Sequence, residues 1–244
     1  NDMKYCFDLD ETLCATPSSR IYADAVPYHS VIDRVNQLYD DGHHITIYTA
    51  RGGTSKIDYN DLTTNQLEEW GVKYHRLIDQ GKPDWYIFVD DKAINSIQWR
   101  KDEGIKLVGF VASSFDLLHG GHCLYLKEAK SVCDYLVAAL QTDPTLDRVY
   151  KNKPIQTLEE RQIQLESNKY VDEVIIYDTE SDLCDILEKV KPDIRILGSD
   201  AMGKPITGID FCKQIRYHVR DHDWSSTNLR KRIENENTQN HFTN

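Results

Sequence analysis

Phe115-Asp116-Leu117-Leu118-His119-Gly120-Gly121-His122 joins an apolar run, Lys106 to Phe110, that reads as a strand to a segment, His122 to Val132, that reads as a helix. This setting decides the fold. A helix start offers free backbone N–H groups and the positive end of the helix dipole, so a phosphate chain placed there meets both. Gly120 and Gly121 carry no side chain and let the backbone approach a ligand closely. His119 and His122 are three residues apart and fall on one face of the first turn. Two imidazoles there can donate hydrogen bonds to phosphate oxygens as charge builds up in a transfer step.

Working outward, the same alternation continues to the C-terminus. Tyr135 to Leu140 reads as a strand, Thr157 to Asn168 as a helix, and Glu173 to Tyr177 as a strand. Ser181 to Val190 reads as a helix, Ile194 to Leu197 as a strand, and a last helix starts near Ser226. After Glu234 the chain is polar and reads as a frayed tail. Toward the N-terminus a separate series appears: a strand Tyr5 to Phe7, a helix Tyr28 to Tyr39, a strand Ile45 to Tyr48, a helix Leu62 to Trp70, and a strand Trp85 to Val89. Strands alternating with helices imply parallel sheets covered on both faces. The expected fold is α/β, with two Rossmann-like parallel-sheet domains in tandem over residues 1–104 and 105–235, and a polar tail over 236–244.

The chain has 244 residues, a length that favours two domains, and a net charge of −11. Through Gly104 there are 11 Lys and Arg against 18 Asp and Glu, so neither half is a basic module and a general nucleic-acid binder is disfavoured. No apolar run is long enough to span a membrane, and the start does not read as a secretory signal. The six scattered cysteines form no C-x-x-C pair, which fits reduced thiols and a cytoplasmic location. The expected partners are small molecules rather than nucleic acid or membrane, with room for a homodimer.

The string around His119 resembles the cytidylyltransferase family of H-x-G-H nucleotidyltransferases, above all the glycerol-3-phosphate cytidylyltransferases. The resemblance runs from about Lys106 to Ile233, through Tyr125 to Lys130, Asp134 to Val137 and Tyr170-Val171-Asp172-Glu173-Val174. It implies a nucleotide site formed by Phe115, Gly121, Asp143, Lys151, Gly198, Asp200, Arg220, Ser225, Ser226 and Thr227, with His119, His122, Lys153 and Arg161 neutralising charge. It also implies direct in-line attack of a substrate phosphate on the α-phosphorus of CTP, without a protein nucleophile, the nucleotide arriving with magnesium. Trp224-Ser225-Ser226-Thr227 stands where the family has its I-S-T-T or I-S-T-S signature. There are departures: Gly120 replaces the Trp often found inside the motif. The segment Ala201 to Asp210 also differs from the glycerol-phosphate enzymes, so the acceptor pocket should differ too. Relatives of this architecture use ATP or GTP on sugar 1-phosphates, the competing reading.

In the N-terminal half, Asp8-Leu9-Asp10-Glu11-Thr12 ends the first strand, where two carboxylates can converge on one ligand as the chain turns. Asp90-Asp91 ends a later strand, and clustered carboxylates suit Mg²⁺. The pattern resembles the small cap-less haloacid dehalogenase-like phosphatases, whose members are often met in bacterial surface-polysaccharide pathways. It implies Asp8 as nucleophile and Asp10 as general acid and then base, with Thr49 and Lys82 binding phosphate. It further implies Asp8, Asp10, Asp90 and Asp91 around the metal. About 35 residues separate Thr12 from Thr49 and about 30 separate Thr49 from Lys82, too few in either gap for a full cap. The two halves together suggest a bifunctional enzyme acting on a small phosphorylated polyol or sugar. The rival reading makes the first half a non-catalytic assembly or docking module.

Overall fold

The computed structural model describes residues 2–17, 19–82 and 90–240, and divides into two compact units, 1–106 and 107–244. In the first unit, β1 (Lys4–Asp8), β2 (Cys14–Ala15) and β3 (Val26–Pro27) are followed by α1 (His29–Asp40), β4 (His44–Tyr48), α2 (Asn60–Glu69), β5 (Arg76–Ile78) and α3 (Ser96–Asp102). The described sheet is parallel, in the order β1-β4-β5, with β2 and β3 forming a small antiparallel pair. Helix α1 buries Val31, Ile32, Val35 and Leu38, one stripe at helical spacing. The strand expected over Trp85 to Val89 lies outside the described residues.

The second unit begins with β6 (Val108–Ser113), then α4 (Gly120–Ser131), β7 (Tyr135–Gln141), α5 (Leu158–Glu166), β8 (Glu173–Tyr177), α6 (Glu180–Val190), β9 (Ile194–Gly198), β10 (Ile215–His218) and α7 (Ser226–Asn240). Its five strands are all parallel, in the order β10-β9-β6-β7-β8. From β6 the chain steps outward through β7 to β8 and then returns to β9 on the other side. The reversal places a crevice outside the carboxyl ends of β6 and β9, where open α/β sheets bind their ligands. Phe110, Val137, Ala139, Tyr177, Leu183 and Leu187 form the core on one face of this sheet. Capping boxes start α5, from Thr157 and Glu160, and α6, from Thr179 and Asp182.

Several sequence boundaries move. β6 runs to Ser113 rather than stopping at Phe110, because Val111, Ala112 and Ser113 pair with Ala138, Ala139 and Leu140. Helix α4 starts at Gly120 rather than His122, because the His119 imidazole caps it. α7 continues to Asn240, so the frayed polar tail begins later than expected. Ser225 caps the start of this helix by accepting the Asn228 N–H. β5, α3 and β10 are additions to the sequence reading. β10 was hidden because Arg216 and His218 occupy its buried positions, so it lacks an apolar alternation. Among the described residues no helix is long and apolar enough to cross a membrane.

Candidate functional site

Two helix starts meet at the crevice of the second unit. At the first, the unprotonated Nδ1 of His119 accepts the N–H groups of Gly121 (3.1 Å) and His122 (3.4 Å). At the second, Ser226 Oγ donates to the Asp116 carbonyl at 2.9 Å and lies 3.3 Å from His119 Nε2. With Nδ1 an acceptor and Ser226 already donating elsewhere, the proton of His119 sits on Nε2 and points at Ser226 Oγ. His119 is therefore the cap of α4 and also ties it to α7. The His122 ring stacks on it with centroids 4.0 Å apart, edge-on to the buried Phe115. Burial is the main cause that lowers the pKa of both imidazoles, helped by the nearby Arg220, and His122 is pulled down to about 3. Both are neutral at pH 7. The buried Nδ1 of His122 has no hydrogen-bond partner.

The approach is close because residues 120 and 121 are glycines. A Cβ on Gly121 would lie 2.7 Å from the Trp224 carbonyl oxygen. Before the helix, Phe115 and Leu117 both adopt the left-handed backbone region, at φ 46° and 52°, conformations that a non-glycine residue holds only at a cost of roughly 1–2 kcal/mol. What holds them is Asp116, a residue the sequence reading passed over. Its buried Oδ1 accepts the N–H groups of Ile155 (3.0 Å) and Gln156 (2.9 Å), and its Oδ2 pairs with Arg230 at 2.5 Å. Arg230 also donates to the Lys153 carbonyl at 3.0 Å. One carboxylate thus fixes the motif loop, the lysine loop and α7 together. Its signal was legible only as an acid inside an otherwise apolar turn.

The other expected residues fall into three groups. Gly198, Asp200 and Arg220 come together on the far side of the crevice, with Arg220 on Asp200 at 2.9 Å. Ser225, Ser226 and Thr227 form the start of α7. Asp143 and Lys151 stand near the β7 end. Asp143 caps a 3-10 turn through Thr145, and those hydrogen bonds lower its pKa, with Lys153 adding to the effect. Lys153 is exposed. A cavity of about 520 Å³ is lined by residues of all three groups, among them Asp116, Lys151, Gly198, Asp200, Ser226 and Thr227. Arg161, expected to face the nucleotide, does otherwise. Its buried guanidinium bonds to five backbone carbonyls, those of Ser114, Gln141, Thr142, Gln156 and Thr157. It stitches β6, β7 and the lysine loop from beneath, so its role is positioning, because the carbonyls already engage its donors.

In the first unit, a cavity of about 590 Å³ is lined by Asp8, Asp10, Arg20, Arg51 and Lys82. Lys82 Nζ pairs with Asp8 at 2.5 Å. Arg51 Nε and Nη2 reach both oxygens of Asp10, at 3.0 Å and 2.8 Å, and Thr16 donates to the same carboxylate at 2.5 Å. Arg51 was not among the expected residues. Its signal was its place directly after Thr49-Ala50 at the end of β4. Thr49 is fully buried and its hydroxyl accepts the Arg51 N–H at 3.2 Å. Asp90 and Asp91 are exposed, and Asp90 accepts the Lys92 N–H at 2.7 Å. Among the described residues no group of three or more His, Cys, Asp or Glu side chains is placed to hold a metal ion. As arranged, Asp8 and Asp10 are each partnered by a cation, and with Asp90 and Asp91 they do not form a magnesium site among the described residues.

The comparisons with known proteins concern the second unit. The family described as cytidylyltransferase-like matches residues 110–232. The bifunctional protein HldE of Campylobacter concisus is 35% identical over 132 residues, covering 54% of this chain and 28% of that protein. The bifunctional protein HldE of Helicobacter pylori is 32% identical over 125 residues, covering 51% of this chain and 27% of that one. The chain therefore spans under a third of the length of these curated relatives. Among solved structures, a lipopolysaccharide core biosynthesis protein from Thermoplasma volcanium has 28% identity and a TM-score of 0.40, over 49% of this chain and 99% of that chain. Through residues 110–232, half of its length, this chain belongs to the cytidylyltransferase-like family.

Proposed function

We propose that the second unit transfers a nucleotidyl group, CMP from CTP, onto the phosphate of a small phosphorylated polyol or sugar and releases pyrophosphate. The observation that carries this reading is the meeting of two helix starts at His119. An anionic phosphate chain there meets the positive ends of the α4 and α7 dipoles, the neutral imidazoles of His119 and His122, and the Arg220 guanidinium. The substrate phosphate attacks the α-phosphorus, the bond to the β-phosphate oxygen breaks, and pyrophosphate leaves with the electron pair. No side chain need act as nucleophile, because positioning and charge stabilisation carry this chemistry. Magnesium enters as the complex of the nucleotide substrate. The match of residues 110–232 to the cytidylyltransferase-like family supports nucleotidyl transfer. Pyrophosphate release with a panel of nucleotides and acceptors tests the reading.

For the first unit we propose phosphate-monoester hydrolysis, with Asp8 as nucleophile and Thr49, Lys82 and Arg51 around the phosphate. Asp10 serves as acid and base once a substrate anion draws Arg51 from it. A second reading, a non-catalytic binding module, is favoured by one observation, the closed Asp10–Arg51 pair. Phosphate release that depends on Asp8 separates the two.

A further inference from the structure

Arg195, on β9, is buried to 4% exposure and lines the cavity of the second unit. Its guanidinium donates to the Thr207 carbonyl, and its Nε has no hydrogen-bond partner. Among the described residues no carboxylate forms an ion pair with it. The contrast with Arg148, on the same cavity, is direct: Arg148 is paired with Glu180 at 2.9 Å and bonded to Gln141 at 2.5 Å. A buried charge left unpaired is costly, and an arginine, unlike a lysine, cannot escape the cost by losing its proton. The missing counter-charge has a natural source, a ligand in the cavity that the guanidinium lines.

The position says which part of the ligand. Arg195 precedes Gly198 by three residues on an extended strand, which sets it roughly 10 Å back along β9 from the Gly198-Asp200-Arg220 group. The attacking phosphate belongs beside His119 and His122, so Arg195 faces a more distant part of the acceptor. The segment that closes over it, with Lys204, Pro205, Ile206 and Thr207 lining the cavity, is the same Ala201–Asp210 stretch in which the sequence departs from the glycerol-phosphate enzymes. Nearby polar groups, the hydroxyls of Tyr125 and Tyr177, are neutral, and burial raises the pKa of both. A fixed, buried positive charge without a carboxylate partner matches an anionic group, and the planar fork matches a carboxylate.

We infer that Arg195 anchors a carboxylate on the acceptor, so that the acceptor is a phosphorylated polyol or sugar acid rather than a neutral polyol phosphate. Arg195 has this role only if the second unit is the nucleotidyltransferase proposed above. The test follows thermal unfolding of the full chain saturated with the unreactive α,β-methylene analogue of CTP and magnesium. 3-Phosphoglycerate and glycerol 3-phosphate, which differ by one carboxylate, are then added in turn. The parent protein is expected to bind 3-phosphoglycerate about 10- to 100-fold more tightly than glycerol 3-phosphate, the worth of one charge-assisted pair. Arg195→Met should lose that preference while its stabilisation by the CTP analogue is unchanged. Arg195→Lys, which keeps a charge without the fork, should keep part of the preference, and carries the test if Arg195→Met fails to fold. No preference in the parent, or a preference undiminished in both variants, overturns the inference. A parent that gains no stability from the CTP analogue strikes the nucleotidyl-transfer reading instead, a separate outcome.

Discussion

The indole of Trp224 lies against Gly120: a Cβ on residue 120 would fall 2.9 Å from its Cε3 and 3.2 Å from its Cζ3. Glycine at 120 and tryptophan at 224 are thus one packing unit, shared between the starts of α4 and α7. Where the H-x-G-H motif that this stretch resembles often carries Trp, and the later signature Ile, this chain has Gly120 and Trp224. Gly120→Trp alone should overpack the junction and cost about 1–3 kcal/mol in stability, with a larger loss of turnover. Adding Trp224→Ile should recover most of both. Chemical unfolding and pyrophosphate release read the cycle, and losses that merely add would show that the two residues do not share space.

In the proposed transfer, His119 and His122 are the groups beside the reacting phosphates. Replacing either by Ala should lower turnover by about 10²–10³. His119→Ala should also lower stability by about 1 kcal/mol, because the α4 cap is lost. Steady-state rates near those of the parent, in both variants, would remove this crevice from the chemistry.

The depressed pKa of His122 has a stability consequence with a definite sign. In the unfolded chain this imidazole titrates near its ordinary 6.5, in the folded protein at about 3. Above pH 6.5 both states are neutral and the folded state keeps its full stability. As pH falls below 6.5 only the unfolded chain takes up the proton, and the folded state loses ground until pH 3. At pH 5 the loss is about 2 kcal/mol relative to pH 8. His122→Gln should lack this part of the acid dependence, so the stability gap between parent and variant shifts by about that amount in favour of the variant between pH 8 and pH 5. Urea unfolding at both values measures it. A gap that stays constant would mean the folded imidazole titrates normally.

Asp116 should behave as a structural hub. Asp116→Ala leaves Arg230 and two backbone N–H groups without their acceptor, and should destabilise the second unit by about 3–5 kcal/mol. Asp116→Asn keeps one acceptor oxygen and should cost less, yet still raise the KM for nucleotide by loosening the loop that carries Lys151 and Lys153. Thermal unfolding with nucleotide kinetics checks both. An unaltered KM in Asp116→Asn would confine the residue to a stability role.

In the first unit, Asp8→Asn retains shape and removes the nucleophilic charge. It should abolish phosphate release from a generic aryl phosphate and leave pyrophosphate release by the second unit at the parental rate. Release that survives the substitution would mean that Asp8 is not the nucleophile.

Much of the site was written in local sequence. The F-D-L-L-H-G-G-H string announced the strand, the turn and the helix start, because a glycine pair and two spaced imidazoles are local features. What sequence left hidden depends on contacts between distant segments. Arg161 read as a phosphate ligand because it is a cation beside a loop, and only the fold shows five carbonyls closing around it. Asp116 reaches residues 39 and 114 positions away, a span with no local period. Arg195 sits in a strand pattern where an apolar residue was the expectation, and its burial without a carboxylate is visible only in three dimensions. β10 escaped because its buried positions hold Arg216 and His218, held in place by Glu128 from α4.

Nucleotidyl transfer in the crevice between α4 and α7 is measured by pyrophosphate release from the full chain, with CTP, ATP and GTP each offered against a panel of polyol, sugar and sugar-acid phosphates. Release should require both a nucleotide and a phosphorylated acceptor, show a higher kcat/KM with CTP than with ATP or GTP, and be lost in His122→Ala. A higher kcat/KM with ATP or GTP would contradict the CTP assignment alone. No acceptor-dependent release with any nucleotide, or release undiminished in His122→Ala, would contradict nucleotidyl transfer in this crevice.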